Sequence, residues 1–304
     1  MTNKISKRNL YMNIHNKIAL LGGDARMIYA LSVLSDRGFE VAAWGFGKSE
    51  LPSFSVRVRD IEDAISHCRA VILPTPASRD SITLYSPLHD RDAVTLSHLI
   101  SLLPDDCTLI GGALSPALKK MIEDRALSYY DICESEDFAT KNAIPTAEGA
   151  LAIAISEMPA TLMDSRCAVI GYGKCGSAMA KCLHSLGGNV SVFARKKTAR
   201  DNAELLGYES FSTSELEKLC GYDLIVNTAP ARLFDTELLK KIKRDALVLD
   251  IASAPYCTDE KIAAEIGVKY LRAPSLPGKY SPLSAGRIIG ECTLDILNME
   301  GITP

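Results

Sequence analysis

The chain has 304 residues, 47% hydrophobic and 23% charged, with 34 Lys and Arg against 37 Asp and Glu for a net charge of −3. That is apolar material for two globular cores, and it excludes intrinsic disorder, collagen and low-complexity repeats. No basic excess points to nucleic acid or to an anionic membrane surface.

No apolar run approaches the roughly 18 residues needed to span a bilayer. Residues 1–16 are basic and polar and read as a tail, with no signal-peptide core behind them. Nine cysteines are scattered from Cys68 to Cys292 without a Cys-x-x-Cys pair, so neither a disulfide framework, nor a zinc site, nor any other bound metal is expected. This usage points to a reducing cytoplasm.

The elements in chain order describe two α/β halves. Lys17–Leu21 reads as a buried strand, followed by Gly22-Gly23-Asp24-Ala25-Arg26 and a helix with Met27, Leu31 and Leu34 on one face. Val41–Trp44, Ala70–Leu73 and Thr108–Ile110 read as the next strands, with Pro74–Ser78 and Gly111-Gly112 as turns and a helix opening at Ser115-Pro116. Pro145 suits the first turn of a linker helix whose apolar stripe is Leu151, Ala154, Ile155 and Met158. The second half repeats the scheme: strand Cys167–Ile170, the turn Gly171–Gly176, a helix with Met179, Leu183 and Leu186, and strands Asn189–Phe193, Asp223–Val226, Ala246–Asp250 and Val268–Leu271. A helix over roughly 284–299 closes the chain.

Strands alternating with helices predict two doubly wound, Rossmann-like domains joined by a linker helix. The boundaries this gives are a tail over 1–16, a substrate domain over 17–143, a dinucleotide domain over 144–283, and a C-terminal helix over 284–304 that folds back on the first domain or stands apart from it.

Gly171-x-Gly173-x-x-Gly176 lies between a strand and a helix, the context in which this pattern binds a dinucleotide. The first glycine permits the turn, the second admits the pyrophosphate, and the third lets helix and strand pack. The phosphates then meet unpaired N–H groups at a helix N-terminus, which makes Lys174 and Cys175 cofactor contacts too. An NAD site usually ends its second strand in Asp or Glu. Here that place is Ala194-Arg195-Lys196-Lys197, so NADP is expected, with NAD as the alternative.

The turn in the first half lacks the fingerprint, and Arg26 beside it reads better as a carboxylate ligand. The carboxyl ends of strands nominate Asp24, Thr75 and Ser78 in the first half, and Asn227, Thr228, Asp250 and Ser253 in the second. Thr146, at the expected start of the linker helix, could offer N–H groups to an anion. Of five histidines only His184 lies in the dinucleotide half, on the helix behind the phosphates, which disfavours a histidine-driven alcohol oxidation.

Six segments together resemble the A-subunit family of dipicolinate synthase: Ile18–Arg26, Asn142–Gly149, Gly171–Gly176, Asn227–Pro230, Asp250–Pro255 with Thr258-Asp259, and Pro274–Gly286. The resemblance implies the two-domain arrangement of formate/glycerate dehydrogenase-like proteins. It implies oxidation of a dihydrodipicolinate, from a branch of the lysine pathway, to the dipicolinate of endospores, with NAD(P)+ taking a hydride. It also implies a flavoprotein-like partner, the B-subunit of dipicolinate synthase. The sequence departs from the family's Arg-Pro-Gly-Gly-Thr-Asp at Ala254–Asp259, which leaves the loop path and any contact of that arginine open. A dicarboxylate substrate then nominates Arg26 and Lys279, with the Thr146 helix start and the Thr75–Ser78 turn, as its anion sites, and Glu148 or Asp137 as the acceptor of the ring proton. The competing readings are another NADP-linked oxidoreductase acting on an amino or 2-oxo acid, and a non-catalytic protein that senses NADP. Assembly of several copies is left open.

Overall fold

A computed structural model describes residues 17–304, and the tail read at 1–16 lies outside them. The chain divides into two compact units, one made of the described residues up to Phe138 with Pro282–Pro304, the other of Ala139–Ser281.

The first unit contains β1 (Ile18–Leu21), α1 (Ala25–Asp36), β2 (Val41–Trp44), β3 (Ser55–Arg57), α2 (Ile61–Ile65), β4 (Ala70–Ile72), α3 (Leu96–Leu102), β5 (Thr108–Gly111), α4 (Pro116–Asp124) and β6 (Ser128–Asp131). Its six strands are parallel in the order β3-β2-β1-β4-β5-β6. Successive side chains of a strand point to opposite faces. Ala19, Leu21, Ala42, Trp44 and Val71 therefore enter one core layer, and Ile18, Leu20, Val41, Ala43 and Ile72 the other. Both faces are apolar because helices cover both.

α5 (Glu136–Glu157) runs from the first unit into the second. It starts well before the expected turn at Pro145, which lies inside it. Thr146 is consequently not at a helix start. Its hydroxyl donates to the carbonyl of Asn142 one turn back (2.7 Å), and the N-terminal anion site expected there does not exist. The buried stripe is Ala147, Ala150, Ala154 and Met158, while Ile155 is exposed.

The second unit continues with β7 (Arg166–Ile170), α6 (Lys174–Ser185), β8 (Asn189–Phe193), α7 (Lys197–Leu205), β9 (Glu209–Phe211), β10 (Leu224–Asn227), α8 (Thr236–Lys241), β11 (Leu247–Asp250), α9 (Glu260–Ile266), β12 (Lys269–Arg272) and α10 (Leu276–Tyr280). Its strands are parallel in the order β12-β11-β10-β7-β8-β9, which is the order of the first sheet again. Two doubly wound Rossmann-like sheets are thus present, as the sequence predicts. Among the described residues, no helix is long and apolar enough to cross a membrane.

α11 (Pro282–Met299) belongs to the first unit and crosses α1 through two glycines. A Cβ on Gly286 would overlap the carbonyl oxygen of Arg26 and stand 2.6 Å from Cβ of Tyr29. Gly286→Ala is therefore expected to cost about 1–3 kcal/mol of stability through overpacking. Urea unfolding checks this against Ser284→Ala on the exposed side of the same helix, which should stay within about 0.5 kcal/mol.

Candidate dinucleotide and substrate sites

In the second unit β7 ends in the turn Gly171-Tyr172-Gly173, and α6 starts at Lys174. Gly171 has φ +87°, a left-handed conformation that costs glycine nothing. Its N–H donates to the carbonyl of Phe193 (2.8 Å), tying the turn to β8. A Cβ on Gly171 would stand 2.6 Å from Oγ1 of Thr228, and one on Gly176 would overlap the carbonyl oxygen of Gly171. A Cβ on Gly173 would meet nothing within 4 Å. Two glycines thus serve close packing and the third faces open space.

Gly173 is the N-cap of α6, and no side chain caps that helix. The first N–H groups of the helix are left for a ligand, and the dipole favours an anion there. These features fit a dinucleotide pyrophosphate. Lys174 is exposed and Cys175 half-buried; burial pushes the Cys175 thiol up, so it is not a thiolate at neutral pH.

The first unit makes the same turn with a different outcome. The N–H of Gly22 donates to the carbonyl of Trp44 (2.8 Å), the counterpart of the Gly171 bond. Asp24, with φ −89° and ψ −169°, occupies the place of Gly173, which has φ −89° and ψ −161°. The Asp24 carboxylate accepts from the N–H of Arg26, so the chain's own anion sits at the N-terminus of α1. A phosphate is excluded from that seat by charge and by volume.

At the end of β8, Ala194 is buried and Arg195 and Lys196 are exposed with no ion-pair partner among the described residues. Lys197 pairs with Asp201 (2.9 Å). Arg200, which sequence reasoning missed, donates through Nη1 to the carbonyls of Ala194 (2.8 Å) and Arg195 (3.0 Å) and fixes the turn that presents the two cations.

Asn227 and Asp250 end β10 and β11 and are 0% and 1% exposed. Neither has surface to offer a cofactor, which differs from the direct contact expected of them. The Asp250 carboxylate accepts four hydrogen bonds: from Asn227 Nδ2 (2.9 Å), the Ala252 N–H (3.1 Å), the Cys257 N–H (2.7 Å) and the Tyr270 hydroxyl (2.9 Å). Asn227 in turn holds the backbone of Ala229 at both its N–H and its carbonyl. A buried carboxylate must be satisfied, and here satisfying it pins the loops after both strands. Thr228 donates to the carbonyl of Ile170 (2.9 Å) and backs the glycine turn, and Ser253 is exposed on the pinned loop.

The carboxyl edge of the first sheet gathers Asp24, Arg26, Thr75, Arg79 and Tyr85. Arg26 is buried, and its Nε and Nη2 donate to the two Asp24 oxygens (2.9 Å each), with Nη2 also donating to the carbonyl of Thr75. Burial would raise the Asp24 carboxyl, but the Arg26 hydrogen bonds and charge bring it below the ordinary range. Oγ1 of Thr75 is buried without a hydrogen-bond partner. The Ser78 hydroxyl, expected to face substrate, donates to Asp80 (2.9 Å) instead.

The remaining candidates lie on α5 and α10. Asp137 opens α5 and accepts from the Cys292 thiol at 4.0 Å. Glu148 is exposed in mid-helix; after burial, its charge is the second cause that pushes the Cys182 thiol up. Lys279 is exposed in the last turn of α10.

Residues 17–133 match the family model for the N-terminal domain of the dipicolinate synthase A-subunit. Residues 145–273 match the NAD binding domain of the D-isomer specific 2-hydroxyacid dehydrogenases, which makes the chain a dehydrogenase. The dipicolinate synthase A-subunit of Bacillus subtilis (strain 168) is 30% identical over 284 residues, covering 92% of this chain and 95% of that protein. The crystal structure of the dipicolinate synthase A-subunit from Bacillus halodurans superposes with a TM-score of 0.87 at 27% identity, over 93% of this chain and 98% of that one. That of the Bacillus subtilis protein gives 0.85 at 28% identity, over 94% and 96%. This chain belongs to the A-subunit family of dipicolinate synthase.

Proposed function

We propose that this dehydrogenase oxidises dihydrodipicolinate to dipicolinate with NADP+, supplying the dicarboxylate of endospores from a branch of the lysine pathway. The observation that carries the reading is the family relationship along 92% of the chain. The reaction removes a hydride from one ring carbon and a proton from its neighbour, and leaves an aromatic pyridine. A nicotinamide held by the second unit would supply the hydride acceptor. Aromatisation makes the proton easy to lose, so no histidine is required; Glu148 or Asp137 is the carboxylate proposed to take it and pass it to water.

The second unit holds the dinucleotide. The uncapped start of α6 takes the pyrophosphate, with Gly173 leaving room for it. Arg195 and Lys196 take the 2′-phosphate, on a turn that Arg200 keeps in place. The loops pinned by Asp250 border this site. The relationship also supports pairing with the synthase's flavoprotein-like B-subunit.

Freshly generated dihydrodipicolinate should give dipicolinate and reduced cofactor in equal amounts when mixed with the protein and NADP+, alone or together with the B-subunit. Reduction of NADP+ by an added amino acid, or oxidation of NADPH by an added 2-oxo acid, with no turnover of dihydrodipicolinate, would favour the competing substrate class. Replacing both Arg195 and Lys196 with alanine should weaken NADP+ binding about tenfold or more, two charge-assisted phosphate contacts being lost, and leave NAD+ binding unchanged. Equal weakening of both cofactors would remove the pair from the 2′-phosphate.

A further inference from the structure

The carboxylate ligand that the sequence suggests for the first unit, Arg26, is already engaged. Its guanidinium grips Asp24 through both Nε and Nη2, and a substrate carboxylate would have to displace an internal carboxylate of equal charge. Arg26 therefore shapes the turn and holds the strand end at Thr75.

The same edge carries a second guanidinium. Arg79 is exposed, and no carboxylate pairs with it among the described residues. It lies over the Tyr85 ring, 4.3 Å from the centroid, and its Nη2 donates to the Tyr85 hydroxyl at 2.9 Å. Its charge reaches the buried pair, because it helps to lower the Asp24 carboxyl. The Tyr85 hydroxyl takes one of the two Nη2 hydrogens, and the other, with Nε–H or Nη1–H parallel to it, leaves one two-point edge of the guanidinium to bind.

The loop around Arg79 is fixed at both ends. Asp80 accepts from the Ser78 hydroxyl, the N–H groups of Ile82 and Thr83, and the Thr83 hydroxyl, at 2.7–2.9 Å. The N–H of Tyr85 donates to the carbonyl of Ala77 and the N–H of Gly23 to that of Tyr85, 2.8–2.9 Å, so Tyr85 is tied to the β1 turn. An arginine held this way binds with little further loss of freedom. The unpartnered Thr75 hydroxyl, on a residue 7% exposed, is a second polar group at this strand end whose hydrogen bond the protein does not itself supply.

We infer that Arg79, positioned by Tyr85, binds one carboxylate of the substrate and makes the first unit select a dicarboxylate over a monocarboxylate. The inference rests on the oxidation proposed above and names the residue that gives it specificity. A bidentate guanidinium–carboxylate contact supplies the discrimination, since a ring with one carboxylate leaves Arg79 without its partner.

The test compares wild type, Arg79→Ala, Arg79→Lys and Tyr85→Phe. It reads kcat and KM for dihydrodipicolinate, equilibrium binding of dipicolinate and of pyridine-2-carboxylate, and NADP+ binding as a check on folding. Arg79→Ala should raise KM about tenfold or more, change kcat far less, and erase the preference for dipicolinate over the monocarboxylate. Arg79→Lys should recover part of that preference, and Tyr85→Phe should lose only part of it, all with unchanged NADP+ binding. Unchanged KM and preference in Arg79→Ala, with an active wild type, would overturn the inference alone. A wild type that neither turns over dihydrodipicolinate nor binds dipicolinate would overturn the proposed function itself.

Discussion

Gly176→Ala should weaken NADP+ binding by about two orders of magnitude, the scale expected when binding groups are displaced by an ångström. The added methyl would overlap the carbonyl oxygen of Gly171 and stand 2.9 Å from its carbonyl carbon. These are backbone atoms, so no rotamer change relieves the contact. The turn cannot yield easily either, because Gly171 is bonded to Phe193 and packed against Thr228. The strain moves the N–H groups of α6 off the phosphates and costs about 1–3 kcal/mol of stability.

Gly173→Ala separates binding from folding. Nothing lies within 4 Å of its Cβ position, so no clash arises, and the melting temperature should fall by no more than a few degrees, through the poorer N-cap that alanine makes. The methyl would nonetheless stand at the helix start where the pyrophosphate is placed, and binding should fall. Titration of NADP+ beside thermal melts of both variants checks the pair. Normal binding by Gly173→Ala would mean that the phosphates lie elsewhere.

The second large effect is expected at Asp250. Asp250→Ala leaves four donors without an acceptor in a site where the residue is 1% exposed. Each orphaned donor costs about 1–3 kcal/mol when it finds no substitute, and relaxation makes the sum less than additive. A loss of about 3 kcal/mol or more in urea unfolding is expected, with weakened NADP+ binding as the loops after β10 and β11 loosen. Asp250→Asn keeps the shape but turns an NH2 toward donors, so it should lose less than the alanine variant and more than Tyr270→Phe.

The same network gives a pH dependence. Burial, the neighbouring Cys257 thiol and the Asp250 charge all push the Tyr270 phenol above its ordinary value of 10. The folded protein therefore holds this proton more tightly than the unfolded chain. Its contribution to stability is intact below pH 10 and is lost as the pH rises beyond it. Tyr270→Phe should flatten that alkaline loss in denaturant midpoints taken at rising pH.

Much of the fold is legible in the sequence, because central parallel strands are buried on both faces and read as apolar runs. β3, β6 and β9 were not legible. Each is an edge strand with exposed or half-buried residues, Ser55–Arg57, Ser128–Asp131 and Glu209–Phe211, and none forms such a run. Pro145 misleads because a proline in a first helical turn and one inside a longer helix look alike when the preceding stretch, 136–144, is polar and mixed.

The glycine turn is legible because its chemistry is local, six residues between a strand and a helix. The substrate edge is less so. Arg26 stands out by sequence position, yet its partner is Asp24, two residues away. Arg79 lies in a loop without periodicity, and only the fold brings it onto Tyr85. The role of Asp250 likewise depends on Tyr270, a strand away, and on the Cys257 N–H in a loop that departs from the family pattern.

The most direct test of the central claim is the initial rate at the dihydronicotinamide absorbance band, with freshly generated dihydrodipicolinate and NADP+ or NAD+, with and without the flavoprotein-like partner. The account predicts growth of the band with the protein present, faster with NADP+ than with NAD+. A chain that binds NADP+ yet never reduces it in any of these mixtures would contradict the account and leave a non-catalytic cofactor sensor in its place.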